Sequence, residues 1–151
     1  MKIVVCGSIN ASDKLIEVSD KLIALGHQTE LPFYTKQIKE GKIDLREYIK
    51  TKAANGGDTQ LRKSAGEDLI KRYFHLISES DAILVVNVEK NGIANYIGGN
   101  SFLEMGFAYA LDKPIYLLNE IPNLGYKDEM VAMKPVILSG DLSSLSLRGK
   151  K

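Results

Sequence analysis

The chain has 151 residues, a formal net charge of +1, 44% hydrophobic residues and 26% charged residues. This is the size and composition of one soluble globular domain, and a charge so close to zero argues against nucleic acid or an anionic membrane as the main partner. No apolar run is long enough for a membrane span or a secretory signal. The single cysteine, Cys6, cannot form an internal disulfide, so we expect a cytoplasmic location.

Apolar runs and helical spacing alternate along the chain. Apolar runs predict strands at 2–6, 81–88, 113–119 and 134–138, and HQTELPF is interpreted as a further strand at 27–33. Segments with helical spacing predict helices at 12–26, 45–52, 60–79, 101–111 and 128–133. Cys6 belongs to the first strand and is interpreted as a buried small hydrophobe, with a reactive thiol as the alternative.

Some segments have a less definite interpretation. Pro32 places the second strand near a sheet edge, and Gly26 ends the helix before it. The polar stretch 34–57 contains a loop at 55–58 and is either a lid over a site or a solvated excursion. Residues 141–151 predict a loosely held tail.

Strands that alternate with helices, and that are apolar on both faces, are typical of a parallel sheet covered by helices on both sides. The sequence therefore predicts a single α/β domain over 1–151. Its expected fold is a flavodoxin-like, doubly wound, five-stranded sheet in the order 2-1-3-4-5. In such a sheet the ligand crevice lies at the carboxyl ends of the first and third strands. Residues 7–10, the segment from Asn87 to Asn100, and the segment from Asn119 onward are expected to meet there.

Glu104 is the most informative polar residue and has two interpretations. The sequence SFLE at 101–104 matches a capping box, in which Ser101 and Glu104 each bind a free backbone N–H. Alternatively, Glu104 lies on a helix that starts at the crevice, after the glycine pair Gly98 and Gly99, where a carboxylate can attack an anomeric carbon. The cap and the helix dipole would keep this carboxylate ionised.

The turn CGSIN at 6–10 is a second candidate. It can present backbone N–H groups and the Ser8 hydroxyl to an anion, although a plain turn is equally compatible. It lacks the G-x-G-x-x-G spacing of dinucleotide sites, and the chain contains no Walker A sequence. The two histidines are not at a ligand spacing, so neither a metal nor an organic cofactor is expected. Tyr96 is either a lid or stacking surface for a base, or a packed aromatic.

The segments CGSI, SDAILVVN and GGNSFLEMGFAYALDKPIYLL together resemble the nucleoside 2-deoxyribosyltransferase-like superfamily, which includes the deoxynucleoside monophosphate N-glycosidases. The resemblance implies that EMGFA at 104–108 carries the nucleophile Glu104 and that the GSI turn gives Ser8 a phosphate- or sugar-binding role. With the crevice argument, it makes the following residues candidates for substrate binding: Gly7, Ser8, Ile9, Asn10, Asn87, Tyr96, Gly98, Gly99, Asn100 and Asp128.

The chain also departs from the superfamily pattern. Tyr73 stands where the superfamily usually has an Asp, Gly98 where it often has an Asp or Ser, and Val4 where it has a tyrosine. The resemblance therefore supplies no residue that orients the sugar or protonates the leaving base. It also implies a homodimer or higher homo-oligomer with a shared site, to which Asp128 would be contributed by a neighbouring subunit.

IGGNSFLE also resembles, less closely, the signature of nucleotide phosphoribohydrolases that are similar to cytokinin-activating enzymes. Both resemblances imply cleavage of the base–sugar bond of a nucleoside or nucleoside 5′-monophosphate, with hydrolysis slightly preferred over transfer. The alternatives are a nucleotide-binding or sensing module without turnover, and an interaction protein in which Glu104 is only a cap.

Overall fold

The computed structural model describes residues 1–54 and 68–145. Its centre is a five-stranded sheet in the order β2-β1-β3-β4-β5, in which every neighbouring pair is parallel. The strands are β1 (Lys2–Cys6), β2 (Gln28–Glu30), β3 (Ala82–Val85), β4 (Ile115–Leu117) and β5 (Val136–Ile137). The predicted flavodoxin-like strand order is confirmed.

Helices connect the strands. In the described ranges they are α1 (Ser12–Ala24), α2 (Phe33–Lys39), α3 (Leu45–Ala54), α4 (Leu69–Ser78), α5 (Gly99–Ala110) and α6 (Lys127–Ala132). A short 3-10 helix, Ile9–Ala11, joins β1 to α1. Within these ranges, no helix has the length and apolar character needed to cross a membrane.

The core lies on both faces of the sheet, which explains why β3, β4 and β5 are apolar throughout. On one face, Leu15, Val18 and Leu22 of α1 pack against Ile3, Val5, Leu84 and other buried side chains. On the other face, Val4, Ile83 and Val85 are covered by Ile77 of α4, by Met105 and Ala108 of α5, and by Met130 of α6. Successive residues of β3 belong to opposite clusters, as the alternation of a strand requires.

Helix α2 was not predicted, and the second strand is shorter than expected. The predicted strand extends through Phe33, but Pro32 is the N-cap of α2 and has no amide hydrogen to continue a sheet ladder. Phe33 is therefore the first residue of a helix instead of the end of a strand. As predicted, β2 is an edge strand.

In the described part of the helix predicted at 60–79, α4 begins at Leu69. Asp68 has an extended backbone, and its side chain accepts the N–H of Lys71 at 3.1 Å, which makes it the N-cap of α4. The predicted loop at 55–58 and the part of the predicted helix at 60–67 lie outside the described residues.

The start of the predicted tail is packed instead of loosely held. Leu142 is 8% exposed and Leu145 is fully buried, and both belong to the core cluster beneath α1. The chain is therefore anchored after β5 by two apolar side chains. Residues 146–151 lie outside the described ranges.

Candidate active site

A cavity of about 200 Å³ opens at the carboxyl ends of β1, β2 and β3. Cys6 pairs with Val85, so the chain leaves β1 and β3 side by side at this edge. Eight of the predicted site residues line the cavity: Gly7, Ser8, Ile9, Tyr96, Gly98, Gly99, Asn100 and Glu104. The strand order therefore brings the CGSIN turn and the glycine pair together around one carboxylate.

Glu104 is not a capping residue, so the capping-box prediction is wrong. Helix α5 begins at Gly99 with Gly98 as its N-cap, which places Ser101 inside the first turn and Glu104 in the second. The Glu104 side chain faces the cavity together with Asn100 and Phe107, because residues four and three positions away lie on the same helix face. The Glu104 carboxylate, on an apolar helix, is thus directed toward the cavity and does not cap the helix.

Burial controls the ionisation of Glu104. It raises the pKa of the Glu104 carboxyl from 4.5 to about 7, and a hydrogen bond with the Cys6 thiol opposes this increase. The prediction that the carboxylate is firmly ionised is therefore wrong. The helix dipole acts mainly within the first turn, whereas Glu104 lies beyond it and is desolvated.

Cys6 is fully buried at the end of β1. Burial, followed by the nearby Glu104 carboxylate, raises the pKa of its thiol well above the usual value, which excludes the reactive-thiol interpretation. The carbonyl of Val4 lies 3.8 Å from Sγ and competes for the thiol proton. We assign the hydrogen bond to ionised Glu104, because a charged acceptor forms the stronger bond.

The turn after β1 is shaped by packing as well as by hydrogen bonds. A Cβ atom on Gly7 would lie 2.9 Å from Cδ1 of Leu15, so this position has no room for a side chain unless Leu15 moves. Ser8 is the N-cap of the 3-10 helix, and its Oγ accepts the N–H of Asn10 at 3.4 Å. The Nζ of Lys90 lies 3.3 Å from the same Oγ.

The segment before α5 forms another wall. Tyr96 lines the cavity, and the ammonium of Lys90 lies 5.4 Å from its ring centroid, within the range of a cation–π contact. A Cβ on Gly98 would be 3.3 Å from Cε1 of Tyr96, so glycine permits this ring position. The two interpretations of Tyr96, as a surface for a base and as a packed aromatic, are therefore compatible.

The third wall comes from the stretch after β2 and from α4. For the polar stretch 34–57, a position over the site was one of the two alternatives that the sequence left open. Pro32, Tyr34, Tyr48 and Lys52 contribute to this wall, so part of the polar stretch 34–57 borders the cavity. The rings of Tyr34 and Tyr48 pack at a centroid distance of 5.7 Å. Aromatic residues within a polar stretch were the sequence signal for this part of the cavity wall.

Tyr73, at the position where the resemblance implies an Asp, also lines the cavity. Its hydroxyl accepts the N–H of Phe33 at 2.5 Å, which joins α4 to the start of α2. Burial is the main cause that raises the pKa of this phenol, and the Glu104 carboxylate adds to the effect. Tyr73 therefore keeps its proton and acts in the site only as a hydrogen-bond donor and acceptor.

Three predicted site residues are not among those that line the cavity. Asn10 is exposed behind the turn, and Asp128 is exposed at the start of α6. Asn87 is fully buried, where its side-chain amide donates to the carbonyls of Asn119 and Glu120 at 3.0 and 2.9 Å and its Oδ1 accepts the N–H of Asn119 at 2.9 Å. This network joins the ends of β3 and β4. Through its bonds with Asn87, Asn119 stabilises this edge of the sheet and does not line the cavity.

Neither the arrangement of possible metal ligands nor comparison with known proteins assigns a function to this cavity. Among residues 1–54 and 68–145, no group of three or more His, Cys, Asp or Glu side chains is arranged to hold a metal ion. No protein-family model matches the sequence, and a search of curated proteins gives no significant match.

Proposed function

We propose that this protein is an N-glycosidase or deoxyribosyltransferase that cleaves the base–sugar bond of a nucleoside or nucleoside 5′-monophosphate. The observation that carries the proposal is the position of Glu104. Its carboxylate faces a cavity at the carboxyl ends of the strands, opposite the Gly7–Ser8 turn, and has no role at the helix end. The resemblance to the deoxyribosyltransferase-like superfamily supports the same reaction, and a homo-oligomer in the cytoplasm belongs to the same proposal.

In the proposed reaction, a carboxylate oxygen of Glu104 attacks C1′ of the sugar. The C1′–N bond breaks, its electron pair passes to the ring nitrogen, and the base takes a proton from water. A water molecule then attacks C1′, releases a proton, and the ester bond electrons return to Glu104. In transfer, the nitrogen of a second base replaces this water.

Only the ionised form of Glu104 can attack. Because its pKa is about 7, the reactive fraction increases as the pH rises through neutrality. We therefore expect kcat/KM for base release to increase between pH 6 and pH 8 and then to level off, unless another group begins to titrate.

The test compares the wild type with Glu104→Gln on a panel of ribo- and deoxyribonucleosides and their 5′-monophosphates. Free base is followed by chromatography. We expect release by the wild type and a loss of at least about 10³-fold in the variant, since removing a nucleophile removes the covalent route. Glu79→Gln, an exposed position outside the cavity, is the matched control and should keep full activity. Equal release by both proteins would exclude Glu104 as the nucleophile.

The second candidate is a nucleotide-binding or sensing module without turnover. Tyr73 favours it, because a phenol whose pKa is raised by burial is a poor substitute for an Asp in acid–base work. Calorimetric binding of a panel member by the wild type, without release of base, would support this candidate over the glycosidase.

A further inference from the structure

The turn between β3 and the start of α5 carries an exposed Asn-Gly pair, Asn91 and Gly92. Asparagine is among the thermolabile residues, because its side-chain amide can be attacked by the backbone nitrogen of the residue that follows it. A glycine in that following position leaves the nitrogen unshielded, since glycine has no Cβ. The pair therefore has the composition and the exposure of a deamidation site.

Deamidation at such a pair proceeds through a cyclic imide. The Gly92 nitrogen loses its proton and attacks Cγ of Asn91, the Cγ–Nδ2 bond breaks, and ammonia leaves after taking a proton from the solvent. Water then opens the ring at either carbonyl, which gives aspartate or isoaspartate at position 91. The reaction needs no other reagent than water, and its first requirement is that the Gly92 N–H gives up its proton.

That N–H is bound to a carboxylate. It donates to Oε1 of Glu89 at 2.6 Å, which is short for a hydrogen bond from a backbone amide. A charged acceptor strengthens this bond and opposes loss of the proton, because the anionic nitrogen would then lie beside a negative charge. Glu89 therefore acts directly on the group that has to react.

The backbone of the turn adds to this restraint. Lys90 N–H donates to the carbonyl of Ile93 at 3.1 Å, and Ile93 N–H donates back at 3.0 Å. Asn91 and Gly92, between them, have φ values of 52° and 81°, as a type I′ turn requires. The attack needs a backbone rotation that brings Cγ of Asn91 onto the Gly92 nitrogen, and a turn closed by two hydrogen bonds resists this rotation.

We propose that Asn91 is a deamidation site of this protein and that Glu89 controls its rate by holding the Gly92 N–H in its protonated form. The reaction depends on the turn alone and not on the proposed glycosidase function. It affects the cavity nevertheless, because the neighbouring Lys90 lines the cavity wall beside Tyr96. Isoaspartate would add a negative charge and one backbone carbon to a two-residue turn, and so displace this part of the wall.

The test follows deamidation in the intact protein. Wild type, Glu89→Ala and Glu89→Gln are incubated in mildly alkaline buffer, and tryptic peptides are quantified by mass spectrometry, with isoaspartate separated by chromatography. We expect Asn91 to deamidate about three- to tenfold faster in Glu89→Ala than in the wild type. Glu89→Gln should lie between them, since glutamine keeps an acceptor and loses the charge. Glu79→Gln, which neutralises an exposed carboxylate at the end of α4, should match the wild type.

The second Asn-Gly pair of the sequence, Asn55 and Gly56, is the internal reference in the same digest. The proposal is overturned if Asn91 reacts no faster in Glu89→Ala than in the wild type. It is also overturned if the substitution accelerates both pairs equally, which would indicate a general loss of stability. Equal rates at Asn91 in the folded wild type and in the wild type unfolded in urea would overturn it as well.

Discussion

Ionisation of the buried Glu104 carboxyl lowers the free energy of unfolding, and this effect can be measured. In the unfolded chain its carboxyl titrates near 4.5, whereas burial raises its pKa to about 7 in the folded protein. Between pH 4.5 and about pH 7, the folded protein binds one more proton than the unfolded chain, because Glu104 is protonated only when it is buried. The contribution of Glu104 to stability is therefore fully present below pH 4.5 and is lost as the pH rises through about 7.

We predict that Glu104→Gln removes this pH dependence. The amide is neutral at every pH, so the variant should gain on the order of 2–3 kcal/mol in free energy of unfolding relative to the wild type between pH 4.5 and pH 8. Urea unfolding of both proteins at several pH values measures the difference. A difference that stays constant over this range would contradict the burial of this carboxyl.

At the scale of single residues, the sequence predicted eight positions of the cavity wall but not the state of its central group. EMGFA identified Glu104, while SFLE indicated a cap that α5 does not use. Two glycines form a poor helix start by intrinsic propensity, so the sequence favoured a start at Ser101. Lys90 could have been identified as a residue near the site from the sequence, because it follows β3 and precedes an Asn-Gly turn signal.

At the scale of elements, α2 depends on a neighbouring helix for its first turn. Its N-cap, Pro32, makes no side-chain capping bond, and the hydroxyl of Tyr73 in α4 accepts the N–H of Phe33 instead. The wall that carries Tyr34 is therefore attached to the same residue that faces Glu104. The sequence could not predict this bond because it links residues 40 positions apart.

We predict that Tyr73→Phe lowers the free energy of unfolding by about 1 kcal/mol, the usual net value of one lost hydrogen bond. The amide of Phe33 should also exchange its hydrogen faster, since it loses its acceptor. Urea unfolding and hydrogen exchange measure both effects. Tyr109→Phe is the control, because Tyr109 is 54% exposed and outside the cavity. Unchanged protection of Phe33 would contradict the proposed link.

At the scale of the whole molecule, the sheet order was predictable because five predicted strands alternate with helices and leave few acceptable arrangements. The end of the chain was less predictable. SSLSL has only two apolar residues among serines, yet Leu145 is fully buried beneath α1. Short segments of this kind acquire their place from tertiary packing, which local periodicity does not encode.

We predict that Leu145→Ala lowers the free energy of unfolding by about 2–4 kcal/mol, through lost burial and the cavity left behind. Urea unfolding monitored by circular dichroism is the measurement. Ile23→Ala is the control, because Ile23 is 50% exposed on α1 and alanine favours the helix. Equal losses in the two variants would contradict the burial of Leu145 in the core.

The contact between Gly7 and Leu15 has a practical consequence for protein engineering. The space that a side chain at position 7 would need is occupied by a leucine of the core, 2.9 Å from the position of its first carbon. The turn that lines the cavity and the interior beneath α1 are therefore packed against each other and change together. We therefore expect that a side chain introduced at position 7 is accommodated best when position 15 is varied at the same time.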